Sequence, residues 1–258
     1  MSMGPRLHVD GQNIDASGAA FPLADGPSRH VQVLRMQPGQ PLRVFDGCGL
    51  EWQAEVTEMG RKVVQVRVLG PIENDRELPV RVTLAVGMTA NDRMDTLVEK
   101  ATELGAHAIQ PLVCSRSVLR LDGERALKKV AHWQAVAVAA SEQCGRAVVP
   151  QVLPVLNSTQ WLQSPAQAAG SGWHSRGVLS LRSARPAASW LSEVGSGLQA
   201  GERPDWCFLS GPEGGLTPEE EDMALSCGWQ AVSLGRRVLR ADTAPLAVLS
   251  VIAAQLER

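Results

Sequence analysis

The hydrophobic pattern divides the chain into two parts. In the first part, the segments 52–56 and 64–68 alternate apolar with polar residues, which predicts two strands that each bury one face. Asp46-Gly47 predicts a tight connection between the first of these strands and an earlier strand at 42–45. Residues up to about 70 are therefore expected to form an all-β unit.

From about residue 80 the pattern indicates alternating strands and helices. Continuous apolar runs at 80–86 and 108–113 predict strands that are covered on both faces. Between them, an apolar stripe at helical spacing predicts a helix that Asp92 caps and Gly105 ends. A long helix is expected from about 122 to 144. This alternation is typical of an α/β domain with a largely parallel sheet.

The segment between the two parts, residues 70–79, has two prolines and several charges, which is typical of an interdomain linker. We therefore expect one domain over residues 1–72 and a second over residues 73–258. The pattern of the second domain is weakest in its middle. There it predicts only a strand near 178–181 and a short helix near 187–194, flanked by loops of small residues.

A strand–loop–helix unit of unusual chemistry lies near the carboxyl end. The apolar run 206–209 predicts a buried strand, and Gly211-Pro212-Glu213-Gly214-Gly215 predicts a sharp turn after it. Thr217 and Glu220 are spaced as a capping box that begins a helix. Acidic residues crowd the first turn of that helix, so the loop is not expected to bind phosphate. A neutral or cationic ligand, such as an adenosine that bears a sulfonium, remains the expectation.

A second unit of the same kind follows at once. A strand is expected at 231–234, a loop at 235–242, and a closing helix that Thr243 caps. Apolar residues lie on more than one face of this helix, as in a helix that is buried between its own core and a partner subunit.

Composition and charge limit the function classes. The five cysteines form no CxxC pair and the five histidines have no ligand spacing, so neither a disulfide framework nor a metal site is expected. No apolar run approaches a membrane span and no signal-peptide pattern is present, so a cytoplasmic enzyme with no membrane partner is expected. The net charge is −2, and an enzyme of nucleic acid would therefore need its positive charge segregated. The densest cationic run flanks the long helix: Arg116, Arg120, Arg125, Lys128, Lys129 and Arg146. A solvated helix face is the favoured interpretation of this run, and phosphate contact is the alternative.

Four spaced motifs carry a resemblance to a known family. They are Gly211–Gly215, the segment Leu234–Ala244, Lys100–Gly105 and Glu142–Arg146. Together they resemble the RsmE family of small-subunit ribosomal RNA uridine-N3 methyltransferases, in the SPOUT superfamily. The resemblance implies an α/β fold, namely a trefoil-knotted SPOUT methyltransferase domain preceded by a PUA-like β-barrel. It also implies S-adenosylmethionine as cofactor, 16S rRNA within the small ribosomal subunit as substrate, and a homodimer.

The resemblance assigns roles to individual residues. The catalytic candidates are Arg240, Arg146 and Glu213, since a guanidinium near the uracil oxygens would stabilise a deprotonated N3. Glu213 and Asp242 are possible proton acceptors, with turn shaping and support of a helix start as the alternative roles. The RNA-binding candidates are His30, Arg35, Gln143 and Arg146, and the alternative for His30 and Arg35 is that they are solvated strand residues. The cofactor-binding candidates are Leu181, Gly211, Pro212, Gly214, Leu234, Gly235, Leu239 and Ala244.

The sequence departs from the family pattern at three places, and two alternative functions stay open. Residues 182–186 replace a Leu-His-Pro-like loop, Arg236 stands where the family commonly has Pro, and Asp242 stands where it commonly has Glu. One alternative is a SPOUT methyltransferase that acts on tRNA or on a ribose 2′-OH. The other is a non-catalytic RNA-binding assembly factor, for which the altered loop is the main support.

Overall fold

The computed structural model describes residues 4–167, 172–196 and 201–257. Close contacts divide the chain into two compact units. One contains the residues up to Glu77 together with Val138–Val149, and the other contains Leu78–Ala137 together with Pro150–Arg258. The expected boundary at 72/73 stays a prediction; it did not include the segment 138–149 in the first unit.

The first unit is built on a five-stranded sheet with the strand order β1-β3-β4-β5-β2. Only β1 and β3 pair in parallel; the other neighbours are antiparallel. The strands are β1 (Arg6–His8), β2 (Ala20–Pro22), β3 (Pro41–Phe45), β4 (Glu51–Met59) and β5 (Val64–Ile72). One helix, α1 (Asp25–Val33), packs with this sheet, and a short 3-10 turn lies at Gly11–Asn13.

The period-two alternation correctly predicted the buried face of this sheet. Ala54 and Val56 in β4 and Val64, Val66 and Val68 in β5 are buried in one core cluster. The tight connection at Asp46-Gly47 is also confirmed, because one carboxylate oxygen of Asp46 accepts three consecutive backbone N–H groups at 2.7–3.0 Å. The linker prediction was wrong at its start, since β5 continues through residue 72.

The all-β expectation was wrong at residues 25–33, which form α1. Pro27 lies in the first turn of this helix, where its missing N–H costs no helical hydrogen bond. Ser28 and Val31, one turn apart, are the buried residues of the helix. The Ser28 hydroxyl donates to the carbonyl of Leu23 and accepts the N–H of Val64, which ties the helix to β5.

A buried ion pair ties β1 to β4 in the first unit. The guanidinium of Arg6 donates to both carboxylate oxygens of Glu51, at 2.9 and 3.0 Å. It also donates to the carbonyl oxygens of Ser141 at 2.7 Å and of Arg146 at 3.1 Å. The side chains of Arg6 and Glu51 are only 3% and 1% exposed. The pair therefore stabilises the position of the 138–149 segment on the sheet as well.

The second unit is an α/β sheet in which every strand pair is parallel. Its strand order is β11-β13-β10-β12-β6-β7-β8, with β9 also paired to β7. The strands are β6 (Arg81–Gly87), β7 (Ala108–Val113), β8 (Gln151–Val152), β9 (Leu156–Asn157), β10 (Ser175–Leu179), β11 (Arg185–Pro186), β12 (Asp205–Ser210) and β13 (Gln230–Ser233). The helices are α2 (Asn91–Glu103), α3 (Gly123–Cys144), which enters the first unit at 138, α4 (Ser158–Leu162), α5 (Ala187–Gly195), α6 (Pro218–Ser226) and α7 (Thr243–Leu256).

Most elements of this unit agree with the sequence pattern, but two predicted caps do not. Asp92 does not cap α2, because the helix begins at Asn91 and its N-cap is Ala90. Thr243 is the first residue of α7 and not its cap, which is Asp242. The capping box of Thr217 and Glu220 at the start of α6 is confirmed.

Glu51→Gln tests the buried ion pair. Burial alone would raise the pKa of the Glu51 carboxyl, but hydrogen bonds from Arg6 and Asn74 and the charges of Arg6 and Arg43 outweigh it and lower this pKa. The stabilised form is therefore the ionised one. Its contribution is present above the ordinary carboxyl pKa and is lost as the pH falls through the lowered pKa of the folded protein.

We expect Glu51→Gln to lower the free energy of unfolding by about 3 kcal/mol at pH 7, because it leaves the buried guanidinium without its counter-charge. Urea unfolding at pH 7 and pH 4 would measure this, and the difference from wild type should shrink at the lower pH. The matched control is Glu55→Gln in the same strand, whose partner Arg67 is half exposed, with a loss below about 1 kcal/mol. Equal losses for the two variants would contradict the buried pair's role.

Candidate functional site

The candidate site is a cavity of about 590 Å³ in the second unit. It is lined by the loops that follow β10, β12 and β13 and by the start of α7. These three strands are neighbours in the order β13-β10-β12 and run in parallel, so their carboxyl ends meet at one edge of the sheet. Ligands of open α/β sheets bind at this edge.

The loop after β12 packs closely against backbone at two glycines. A Cβ atom on Gly211 would lie 2.5 Å from the backbone nitrogen of Leu216, and one on Gly87 would lie 2.4 Å from that of Pro212. Real Cβ contacts are not this short, so glycine is required at both positions. Gly215 has a φ of +69°, in the left-handed region that favours glycine. The loop consequently presents backbone to the cavity.

Glu220 anchors the start of α6, directly after this loop. Its carboxylate accepts the backbone N–H groups of Thr217 and Ser115, both at 2.9 Å, and the hydroxyl of Ser158 at 2.7 Å. Burial would raise the pKa of this carboxyl, but these hydrogen bonds lower it overall. Burial and the charge of Glu220 together raise the pKa of the nearby Cys114 thiol to about 12, so this thiol stays protonated at neutral pH. It is a packing residue.

The loop after β10 is held to the first turn of α6 by a polar network. The hydroxyl of Ser180 donates to Glu221 at 2.5 Å and accepts the backbone N–H of Arg182 at 2.9 Å. The guanidinium of Arg182 lies 3.6 Å from Glu221 and 3.3 Å from Asp222. Ser183 has a φ of +47°. The altered loop therefore has a defined position, stabilised by the contacts of Ser180 and Arg182.

The loop after β13 carries the positive charge of the site. Gly235 has a φ of +111°, which favours glycine. Arg237 and Arg240 line the cavity and are exposed. Among residues 4–167, 172–196 and 201–257, neither guanidinium has a carboxylate within ion-pair distance. The carbonyl of Arg240 accepts the N–H groups of Thr243 and Ala244, both at 3.0 Å, so its backbone is fixed to the start of α7.

The structure brings together ten of the residues that the sequence singled out. Glu213 and Arg240 line the cavity, and Oε1 of Glu213 accepts the N–H of Ala90 at 2.8 Å, which supports the start of α2. The eight cofactor-binding candidates also line it: Leu181, Gly211, Pro212, Gly214, Leu234, Gly235, Leu239 and Ala244. Their roles stay predictions, but their placement in one cavity is a property of the fold.

The other candidates lie in the first unit. Arg146 is 3% exposed, and its guanidinium pairs with Glu77 at 2.5 Å. His30 lies on α1, on a helix and not on a strand, with its ring 3.8 Å from the carboxylate of Glu142. Arg35, which has a φ of +52°, and Gln143 are both exposed.

Four other residues that line the cavity were not predicted from the sequence as site residues. Ser180, Ser210 and Glu221 line the cavity, and so does Arg93. Ser210 is the last residue of β12 and is 3% exposed. Its hydroxyl has no hydrogen-bond partner in the described part of the chain. A polar residue at the carboxyl end of an apolar strand was the signal that could have identified it.

The described residues contain no group of three or more side chains that could hold a metal ion. No helix among them is long and apolar enough to cross a membrane.

Comparisons with known proteins agree with this architecture. The model of an RNA methyltransferase domain matches residues 76–253, and that of an RNA methyltransferase PUA domain matches residues 25–69. The chain is 34% identical to ribosomal RNA small subunit methyltransferase E of Bacillus subtilis, over 88% of this chain and 86% of the relative. It is 32% identical to the Mycobacterium tuberculosis protein of the same name, over 92% and 87%.

Comparison with solved structures finds a relative of the same name. The crystal structure of ribosomal RNA small subunit methyltransferase E from Neisseria gonorrhoeae, bound to S-adenosylmethionine, superposes with a TM-score of 0.82. It is 32% identical, and the match covers 98% of both chains. With the family models and the identities above, this likeness shows that the chain belongs to the ribosomal RNA small subunit methyltransferase E (RsmE) family, with a SPOUT α/β-knot domain and a PUA-like N-terminal domain.

Proposed function

We propose that the protein transfers a methyl group from S-adenosylmethionine to N3 of a uridine in 16S rRNA, in the cytoplasm and within the small ribosomal subunit. The observation that carries this proposal is the single cavity that collects all eight cofactor-binding candidates together with Arg240. The solved relative from Neisseria gonorrhoeae, which is bound to S-adenosylmethionine, supports the choice of cofactor.

The residues present fit this cofactor in size and in backbone access. A cavity of about 590 Å³ is in the ordinary range for a small-molecule site. Gly211, Gly214 and Gly215 line one side of the cavity, and their backbone allows a ligand to approach closely. The buried hydroxyl of Ser210 is available for a hydrogen bond with a polar atom of the ligand.

S-adenosylmethionine supplies an activated methyl group, so the protein must align the acceptor and adjust its charge. Uridine N3 carries a proton and is nucleophilic mainly after losing it. Each pKa unit above the working pH costs about 1.4 kcal/mol, so a pKa roughly two units above neutrality costs about 3 kcal/mol. A guanidinium beside the uracil oxygens offsets much of this cost.

We assign this role to Arg240. It lines the cavity and has no carboxylate within ion-pair distance among the residues that the structure describes, whereas the guanidinium of Arg146 is paired with Glu77. Glu213 remains a candidate proton acceptor through the carboxylate oxygen that does not hold Ala90.

Two other expectations, the assembly factor and the homodimer, rest on different observations. The assembly-factor alternative rested on the altered loop, which the Ser180, Arg182 and Glu221 network holds in a defined position, so we favour a catalytic role. The homodimer rests on the family resemblance and on the apolar faces of α7. Val248, Leu249 and Ile252 are fully buried within one chain, and Val251 is partly buried. A mass of 27.6 kDa by light scattering would exclude it.

Arg240→Ala tests the proposed chemistry. Unmethylated small subunits are incubated with the protein and S-adenosylmethionine, and the rRNA is then read by reverse transcription. An N3-methyl group blocks the Watson–Crick edge, so wild type should produce a new stop at one uridine.

We expect kcat of Arg240→Ala to fall about 100-fold, as for loss of one charge-stabilising donor, while cofactor affinity changes little. Mapping the methyl group to a ribose 2′-OH, or finding modification of tRNA instead, would contradict the assignment of N3 in 16S rRNA.

Ser210→Ala tests whether the buried hydroxyl contacts the cofactor. In the ligand-free protein, removal of a buried hydroxyl that lacks a partner should raise Tm by a few degrees, since it removes a desolvation cost of about 1 kcal/mol. In the complex, the same change removes a hydrogen bond, so Kd for S-adenosylmethionine should rise about fivefold by calorimetry.

Ser141→Ala is the matched control, because its hydroxyl is also buried and without a partner in the described segments, and it lies in the other unit. It should leave this Kd unchanged. If Ser210→Ala also leaves Kd unchanged, the hydroxyl has no role in cofactor binding.

A further inference from the structure

One short segment of this acidic chain carries a net positive charge. Residues 116–129 hold five Arg and Lys and two Asp and Glu, a net charge of +3. The rest of the chain holds 20 Arg and Lys and 25 Asp and Glu, a net charge of −5. We refer to residues 116–129 as the basic ridge.

Two arginines of the basic ridge donate hydrogen bonds to backbone carbonyls, and neither has a carboxylate within ion-pair distance in the described residues. Arg116 donates to the carbonyls of Gly214 at 3.1 Å and Leu216 at 3.3 Å, and both of these residues line the cavity. Arg120 donates to the carbonyl of Ser115 at 3.1 Å. The ridge is therefore fixed to the cofactor loop at its first residue.

The other three cations lie on one face of α3. Arg125, Lys128 and Lys129 follow the i, i+3, i+4 spacing that places side chains next to one another on a helix. Lys128 pairs with Glu124 at 2.8 Å. Within the described residues, Arg125 and Lys129 have no carboxylate within ion-pair distance.

The ridge is anchored and also exposes apolar groups. Leu121 is buried, and the hydroxyl of Ser117 accepts the N–H of Cys114 at 3.0 Å, so the loop ahead of α3 is held in place. Val118 and Leu127 are 80% and 67% exposed. Cationic side chains on a segment that is held in place suit contact with phosphates.

We propose that the basic ridge is a docking surface for rRNA phosphates that holds the substrate beside the cavity. This proposal rests on the proposed function for the identity of the RNA. Phosphate contacts position a nucleic acid without reading its sequence. The ridge should therefore contribute to affinity and not to the chemical step.

The test compares two double variants that each remove two positive charges. Arg125→Ala with Lys129→Ala alters the ridge. Lys100→Ala with Arg185→Ala is the control, since both of these cations are already paired with carboxylates on other parts of the second unit. Binding to protein-free 16S rRNA and to unmethylated small subunits is measured by filter retention over a series of KCl concentrations. Methylation is then measured at saturating S-adenosylmethionine.

We expect the ridge variant to bind both RNAs roughly tenfold more weakly and to have a shallower dependence of log K on log salt, by about 1 to 2. KM for subunits should rise in proportion, with kcat and the Kd for S-adenosylmethionine unchanged. The control should resemble wild type.

Equal salt slopes and affinities for the ridge variant and the control would overturn the proposal, even if wild type methylates the subunit. Weaker binding to subunits alone, with binding to protein-free rRNA unchanged, would also overturn it and would indicate an acidic ribosomal protein as the partner. If wild type methylates no RNA, the proposed function fails, while the filter measurements still decide whether the ridge binds RNA.

Discussion

The close packing of backbone against backbone at the carboxyl ends of β6 and β12 is the constraint on which the site depends. The loop after β12 lies against Gly87 and folds back on itself at Gly211, with no space for a Cβ atom at either residue. This close packing fixes the path of the loop, whose glycines 211, 214 and 215 line the cavity. Backbone of this kind can approach a flat ligand closely, which a loop of larger residues cannot do.

The elements around this loop are held in place by carboxylates that already have hydrogen-bond or ion-pair partners. Glu220 fixes the start of α6, Glu221 holds the loop after β10, and Glu213 supports the start of α2. These carboxylates serve as structural groups at helix starts, where the helix dipole favours negative charge. Arg240 and Arg237 remain as uncompensated charges in the lining, within the described residues. The charges of these two arginines are therefore available to a bound ligand or substrate.

The sequence predicted those parts of the fold that depend on local spacing. The alternation at 52–56 and 64–68, the capping box at Thr217 and the apolar strands of the parallel sheet all depend on neighbours in the chain. The helix at 25–33 was missed because Gly26 and Pro27 are poor helix formers, although a proline in the first turn costs little. The burial of Arg146 could not be read locally, since its partner Glu77 is 69 residues away. Ser210 was missed for a related reason, because its importance depends on a missing partner that only the packed structure reveals.

The crystal structure of the protein with S-adenosylmethionine is the most direct test of the central claim, that the three loops after β10, β12 and β13 form one cofactor cavity. We expect the ligand to lie between these loops, in contact with the backbone of 211–215 and 234–241 and within hydrogen-bond distance of the Ser210 hydroxyl. A ligand bound elsewhere on the protein, or an empty cavity at saturating concentration, would contradict the claim.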